Sequence, residues 1–153
     1  MTLVNALPSE VSPYPVYSSQ TNINGLSGYF SNYLYENSIT WTTDGANAGE
    51  VNYRIGKFYC TNVCGVLISS EGYANACVAA MINAVSKKYV SYVGNPKLMN
   101  GVMGKIKISF PCVTEQTKIA NFLTAIDDKI TQTKTQLAAV KQYKQGLLQQ
   151  MFV

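Results

Sequence analysis

Apolar residues fall on two different periods along this 153-residue chain. Toward the C-terminal end they recur about every 3.5 residues. From Thr114 to Met151, one heptad position holds Leu123, Ile130, Leu137, Lys144 and Met151, and the other holds Ile119, Ile126, Thr133, Val140 and Leu147. Thr133 and Lys144 alone interrupt the stripe. A stripe of that period is a coiled-coil seam, narrower than the face a helix buries in a globular core. At the α-helical rise the element is roughly 57 Å long. A compact domain made from the 113 residues ahead of it has a diameter of about 35 Å. The helix therefore overhangs its own domain by on the order of 20 Å, and its stripe needs cover from outside that fold.

Ahead of the helix the pattern is mostly of period two. Tyr14–Tyr17 and Gly28–Phe30 read as short strands flanking an uncharged loop rich in Ser, Asn and Gln, with Gly25 and Gly28 set for turns. Residues 1–16 hold three of the five prolines and read as a loop or an edge lead-in. Ser38–Thr42 alternates as a strand, and Asp44–Gly49 (DGANAG) supplies a turn. Val51–Arg54 and Lys57–Cys60 are expected to form a hairpin turning at Ile55-Gly56. Cys64–Ile68 is a further buried strand. At Tyr73 the period changes to 3.6: Cys77, Ala80, Met81, Ala84 and Val85 share one face of a helix of about four turns. Asn95-Pro96 stops it, and Lys97–Gly104 is loop with one turn. Lys105–Phe110 (KIKISF) alternates as a strand ended by Pro111, and Thr114 is placed to cap the long helix. The fold class expected is α+β. A small, mixed, β-rich domain with a packed helix covers residues 1–113, and one long C-terminal coiled-coil helix covers 114–153.

Charge and cysteine content narrow the chemistry. The net charge is +4, with seven Lys/Arg against five Asp/Glu before the helix and five against three within it. Neither part is basic enough to bind nucleic acid strongly by charge alone, so any such role needs placed contacts. The absence of histidine removes the commonest general base and metal ligand. Cys60, Cys64, Cys77 and Cys112 include no CxxC pair, so a zinc site is not expected. Without a signal-peptide pattern at Met1–Ser9, they read as reduced, mostly buried thiols of a cytoplasmic protein. No apolar run is long enough to span a membrane. Gly45 and Gly49 lack the following GK[ST] of a phosphate-binding loop. Asp127-Asp128 lie just outside the seam, where acidic residues face solvent or partner lysines, and no metal or cofactor is expected there.

One stretch carries a family pattern. Asn95-Pro96-Lys97-Leu98, the segment Ile106–Phe110, Pro111, Glu115-Gln116, Ile119-Ala120, Phe122-Leu123, Asp127 and Ile130 together resemble a target-recognition domain running into its long helix. The family is that of the DNA specificity subunits of type I restriction-modification systems. The end of the helix, Gln142–Met151, and the upstream stretches YPVYSSQTNINGLSGYF, ITWTTDGANAGEV and GKFYCTNVCGVL are similar as well, so the likeness runs from Tyr14 to Phe152. It implies a non-catalytic protein that chooses the DNA site for methyltransferase (modification) and restriction/translocase subunits. Members have two recognition domains, each followed by a long helix, and the helices pack antiparallel. This chain departs in carrying one domain and one helix. It also has thirteen residues before Tyr14, where members commonly have a further strand and turn. Asn95-Pro96 continues with Lys97, so it is not the catalytic motif of the methyltransferase partners.

The residues agree with that reading. Reading a DNA sequence requires uncharged amides and hydroxyls for base edges and a few cations for phosphates. Tyr17, Ser18, Ser19, Gln20, Asn22 and Asn24, with Tyr29 nearby, form the first candidate loop. Thr42, Thr43, Asp44 and Asn47, with Glu50, form the second. Arg54, Lys57, Lys87 and Lys88 are candidate phosphate contacts, whereas Trp41 is expected in the core. A single helix and no internal repeat suggest two copies pairing through the seam as an antiparallel homodimer on an interrupted palindrome. Thr133 and Lys144 would then select register. The competing reading is a truncated or recombining cassette that assembles through the helix without binding DNA.

Overall fold

The computed structural model describes residues 5–19 and 23–151. Five strands form one mixed sheet: β1 (Tyr14–Tyr17), β2 (Leu26–Phe30), β3 (Tyr35–Thr42), β4 (Val51–Cys60) and β5 (Cys64–Leu67), in the order β2-β1-β4-β3-β5. β1 and β4 pair in parallel, with Val16 beside Tyr59, and the other ladders are antiparallel. Three helices follow: α1 (Ala76–Ser86), the single turn α2 (Asn100–Met103) and α3 (Val113–Met151). The expected α+β architecture is present.

The core lies between one face of the sheet and α1. Ile39, Trp41 and Val51 meet Val78, Ala79 and Ile82 there, and Leu98 and Met103 close the end. Trp41 is core, as expected: it is 4 % exposed, and its Nε1–H donates to the Leu98 carbonyl at 3.1 Å. Gly65 makes room for it. A Cβ at Gly65 would lie 2.2 Å from the indole ring. α1 starts at Asn75, whose side chain accepts from the Val78 N–H at 3.0 Å. It is shorter than the four turns expected, 11 residues, because the chain tightens into a 3-10 turn at Lys87–Tyr89.

Three local expectations are corrected. Val51–Cys60 is one strand and not a hairpin. Gly56 takes φ +75°, and its N–H donates to the Asn37 side chain at 2.8 Å, so the left-handed glycine makes a bulge against β3 instead of a reversal. Lys105–Phe110 joins no ladder among the described residues, and its first residues close the turn after α2, with Lys105 N–H donating to the Val102 carbonyl at 3.0 Å. Its alternation is satisfied by Ile106 and Ile108 packing on the core while the lysines face water. The long helix starts one residue before Thr114. Cys112 precedes it, and its N–H donates to the Glu115 carboxylate at 3.2 Å, one half of a capping box.

α3 is 39 residues long, so about 58 Å. Near its start, Gln116 is 4 % exposed and ties it to the domain. The Gln116 amide donates to the Pro111 carbonyl at 3.0 Å and accepts from Asn75 Nδ2 at 3.3 Å. Leu123 and Thr124 are half-buried facing α1, and beyond them the helix stands in solvent.

Candidate nucleic-acid interface

The turn Thr61–Val63 between β4 and β5 joins the bases of both candidate loops. Thr61 N–H donates to the Tyr17 carbonyl at 3.0 Å and its hydroxyl to Ser18 Oγ at 3.0 Å. Two residues on, the Val63 carbonyl accepts from Thr43 N–H at 3.1 Å. Two stretches some twenty residues apart in sequence thus share one rim. β4 makes this possible by ending beside β1 at Tyr59 and Cys60 while β5 follows at once, so that Cys60 donates its S–H to the carbonyl of Cys64, opposite Thr42.

Arg54 sits under the first loop, and its placement differs from that of a surface cation. It is 9 % exposed. Nε donates to Thr40 Oγ1 at 3.0 Å, Nη2 to the Asn24 carbonyl at 2.6 Å, and the guanidinium lies 3.8 Å over the Tyr17 ring. Burial pulls its pKa below the ordinary value, opposed by Tyr17 and by the thiols of Cys64 and Cys60. Its cationic fork clamps the returning end of the loop, where Ile23, Asn24 and Gly25 all adopt left-handed φ. Hydrogen bonding to Cys64, together with burial, raises the Cys60 thiol, while the Cys60 hydrogen bond and Arg54 lower that of Cys64.

On the first loop, Ser18 and Ser19 are half-buried and the Asn24 side chain is exposed; Gln20 and Asn22 lie outside the described residues. The second loop is tied down from within. Thr42 and Thr43 are buried, and Thr43 Oγ1 donates to Asp44 Oδ2 at 2.9 Å. Asp44 pairs with Lys97 at 3.3 Å, and Asn47 is half-buried with its carbonyl accepting from Glu50 N–H. Lys87 and Lys88 are exposed and adjoin this loop. Gly49 packs so tightly there that a Cβ would fall 2.8 Å from Val90 and 3.5 Å from Lys87 Cα. Lys57 is held on an aromatic pair instead: its ammonium is 4.6 Å over the Tyr33 ring, which packs 5.0 Å from Tyr14. The hydrogen bond with Tyr33 raises its pKa.

Thr61, Lys97 and the Ser91–Lys97 bridge were not among the candidate site residues read from the sequence. That bridge carries Tyr92 and Val93 at its tip, 69 % and 92 % exposed, beside Asp44. The signal for it was weak: Gly94 and Asn95-Pro96 mark a turn but say nothing of its neighbour.

The second candidate surface is the helix stripe. Ile119, Ile126, Ile130, Leu137, Val140, Leu147 and Met151 are each at least 40 % exposed, as is Phe122 on its flank. Thr133 turns its hydroxyl back to the Lys129 carbonyl at 2.8 Å. Between α3, α1 and β4 lies a cleft of about 330 Å³ whose helix wall includes Leu123, Asp127 and Asp128. Among the described residues, no group of three His, Cys, Asp or Glu is gathered for a metal ion. No helix among them is long and apolar enough to cross a membrane.

The class of fold is a five-stranded mixed sheet with polar loops at one rim, followed by one long helix whose apolar stripe is exposed. The chain belongs to the type I restriction modification DNA specificity domain family, whose model matches residues 2–142. It is similar to proteins of Mycoplasma pneumoniae named as type I specificity subunits. One is 39% identical over 137 residues, covering 86% of this chain and 36% of the relative. Another, named as an N-terminus, is 41% identical over 113 residues, covering 72% and 60%. The type I restriction enzyme MpnII specificity subunit is 36% identical over 116 residues, covering 74% and 35%. The chain thus spans between about a third and three-fifths of the length of these relatives. The crystal structure of a type I restriction-modification system S subunit from M. genitalium shares the fold, with TM-score 0.60 at 16% identity over 85% of this chain and 37% of that one. These homologues are specificity subunits, the non-catalytic members of their systems, and this chain is a specificity domain and not an enzyme.

Proposed function

We propose that the chain reads one half of a split double-stranded DNA site for a type I restriction-modification complex, directing methyltransferase and restriction subunits to it. The convergence of the two polar loops on the Thr61–Val63 turn carries this reading. Ser18, Ser19, Gln20, Asn22 and Asn24 present amides and hydroxyls to base edges, and Lys87 and Lys88 hold phosphates. Tyr17 and Arg54 act from beneath, fixing the loop's shape. Thr42, Thr43 and Asp44 brace the second loop, so Asn47 is its reader, while Lys57 flanks the rim as an aromatic-held cation. Residues 1–113 act as the recognition domain and 114–153 as the spacer. Two copies pair antiparallel through Ile119, Leu123, Ile126, Ile130, Thr133, Leu137, Val140, Lys144, Leu147 and Met151, giving two-fold symmetry.

The test is co-expression with a cognate methyltransferase subunit, followed by mapping of methylated bases. An interrupted palindrome is expected, and the double variant Gln20→Ala, Asn22→Ala should change or abolish site choice while the complex still assembles. Assembly without any new methylation would favour the non-binding cassette and overturn this reading.

A further inference from the structure

Two thiols sit beneath the rim where the polar loops meet. Cys60 ends β4 and Cys64 opens β5, so they flank the Thr61–Val63 turn. That turn folds tightly back: Cys64 N–H donates to the Thr61 carbonyl at 3.1 Å, and the Cys60 thiol donates to the Cys64 carbonyl at 3.4 Å. The two thiols also hydrogen-bond each other. The remaining cysteines lie elsewhere. Cys77 is buried on α1 against Met81, and Cys112 is exposed ahead of α3.

The cation beside the pair makes the two sulfurs unequal. Arg54 is buried, and among the described residues no carboxylate lies within ion-pair distance of it. A buried guanidinium is costly unless electron-rich acceptors surround it. Its Nε donates to Thr40 Oγ1 at 3.0 Å, and the Thr40 hydroxyl in turn hydrogen-bonds the Cys64 sulfur. The Cys60 hydrogen bond and Arg54 thus favour the ionised form of Cys64, while Cys60 keeps its proton. A thiolate beside a cation is the nucleophilic form of cysteine, and a second thiol within reach turns its oxidation into a disulfide. From Arg54 the network continues to the Asn24 carbonyl at 2.6 Å and to the Tyr17 ring, so it ends on the first loop.

We propose that Cys64 and Cys60 form a site of reversible oxidation by hydrogen peroxide, and that their disulfide loosens the first loop. The Cys64 thiolate attacks one peroxide oxygen. The O–O bond breaks, leaving a sulfenic acid and a hydroxide that takes up the proton Cys64 released. The Cys60 sulfur then attacks the sulfenic sulfur, and its proton leaves with the hydroxyl as water. The two sulfurs have together passed two electrons to the peroxide. Dithiothreitol reverses the step by thiol–disulfide exchange. In the disulfide neither sulfur carries a proton or a negative charge. The bond from Cys60 to the Cys64 carbonyl is lost, and Arg54 loses its electron-rich neighbour. The sulfurs also close to about 2 Å, which draws in the turn whose Thr61 holds the Tyr17 carbonyl and Ser18 Oγ. The consequence for site choice rests on the DNA reading proposed above; the oxidation and the loosening do not.

The test uses the full chain with Cys112→Ser, which removes the exposed thiol. Dilute hydrogen peroxide should convert two alkylatable thiols into one intramolecular disulfide, mapped by mass spectrometry to Cys60 and Cys64 and reversed by dithiothreitol. Proteolysis within residues 18–25 should then run about fivefold faster, the equivalent of one lost hydrogen bond. Cys64→Ser and Cys60→Ala, each checked for the parent's fluorescence melt, should both abolish the response to peroxide. If the chain is oxidised before a methyltransferase subunit is added, methylation of its site should slow by a similar factor. No disulfide at this pair, or a disulfide with unchanged cleavage, overturns the proposal. Disulfide and faster cleavage in a chain that directs no methylation in either state support the switch and overturn the DNA reading instead.

Discussion

In the domain, Phe58 and Leu98 are 0 % exposed and Ile39 is 2 %; on α3, Ile130, Leu137 and Val140 are 45 %, 53 % and 63 % exposed. These are similar side chains in one chain, and the difference lies in what each segment has to pack against. Strands β3, β4 and β5 find α1 within the fold, and their apolar face closes. α3 touches the domain over its first three turns and then runs past it, so the stripe stays open. The domain holds its structure through its own contacts, whereas the outer part of α3 depends on what comes to it. Changes in the two regions should therefore register in different measurements.

The largest effect is expected at Gly65. Gly65→Ala drives a methyl into the Trp41 ring, where backbone and indole both resist displacement, and should cost about 3 kcal/mol of domain stability. A thermal melt followed by tryptophan fluorescence would show it, and an unchanged Tm would mean the sheet relaxes more easily than its packing suggests. Leu137→Ala inverts the comparison. It should leave the fluorescence melt of the domain unmoved while weakening self-association by about 2 kcal/mol, because each dimer loses the side chain twice. If the melt fell as well, domain and helix would not be separable in this way. Arg54→Lys should have a smaller effect than either. An ammonium cannot reproduce the fork that reaches Thr40 and Asn24 from one centre, so about 1–2 kcal/mol should be lost. The loss should be concentrated as faster proteolysis within residues 18–25.

What was readable in the sequence follows the same division. α3 was legible almost to the residue, since its period repeats through five heptads and nothing tertiary competes with it. β1 and β5 were legible as short runs beside turn residues, but β5 was expected to be buried and to reach Ile68, whereas it is half-buried, ends at Leu67 and leaves Ile68 71 % exposed. β4 was misread at Gly56, where a glycine with positive φ serves a bulge as well as a hairpin; only its neighbour Asn37 decides which. Lys105–Phe110 was misread because alternation records which side chains are buried, not whether the backbone finds a ladder. The uncharged composition of the loops was visible in the sequence. Their meeting at Thr61–Val63 was not, since that depends on β4 lying between β1 and β3 in the sheet. Arg54 shows the same limit: a cation between polar loops reads as a phosphate contact until its hydrogen bonds are known.

The smallest effect tests whether the second loop is as rigid as its hydrogen bonds imply. Lys97→Ala removes the 3.3 Å ion pair with Asp44, whose side chains are 50 % and 28 % exposed. A pair this open should contribute about 0.5 kcal/mol, less at high salt. The backbone already holds the strand ends without it: Gly45 N–H donates to Pro96 at 3.0 Å, and Leu98 N–H to Thr43 at 2.8 Å. Thr43 Oγ1 also stays with Asp44 after the lysine is gone. Site choice in the methylation assay should accordingly persist in Lys97→Ala. If specificity changed while stability did not, Lys97 would itself be part of the reading surface, and the boundary drawn between the bracing residues of this loop and its reader would have to move toward the Tyr92–Val93 tip.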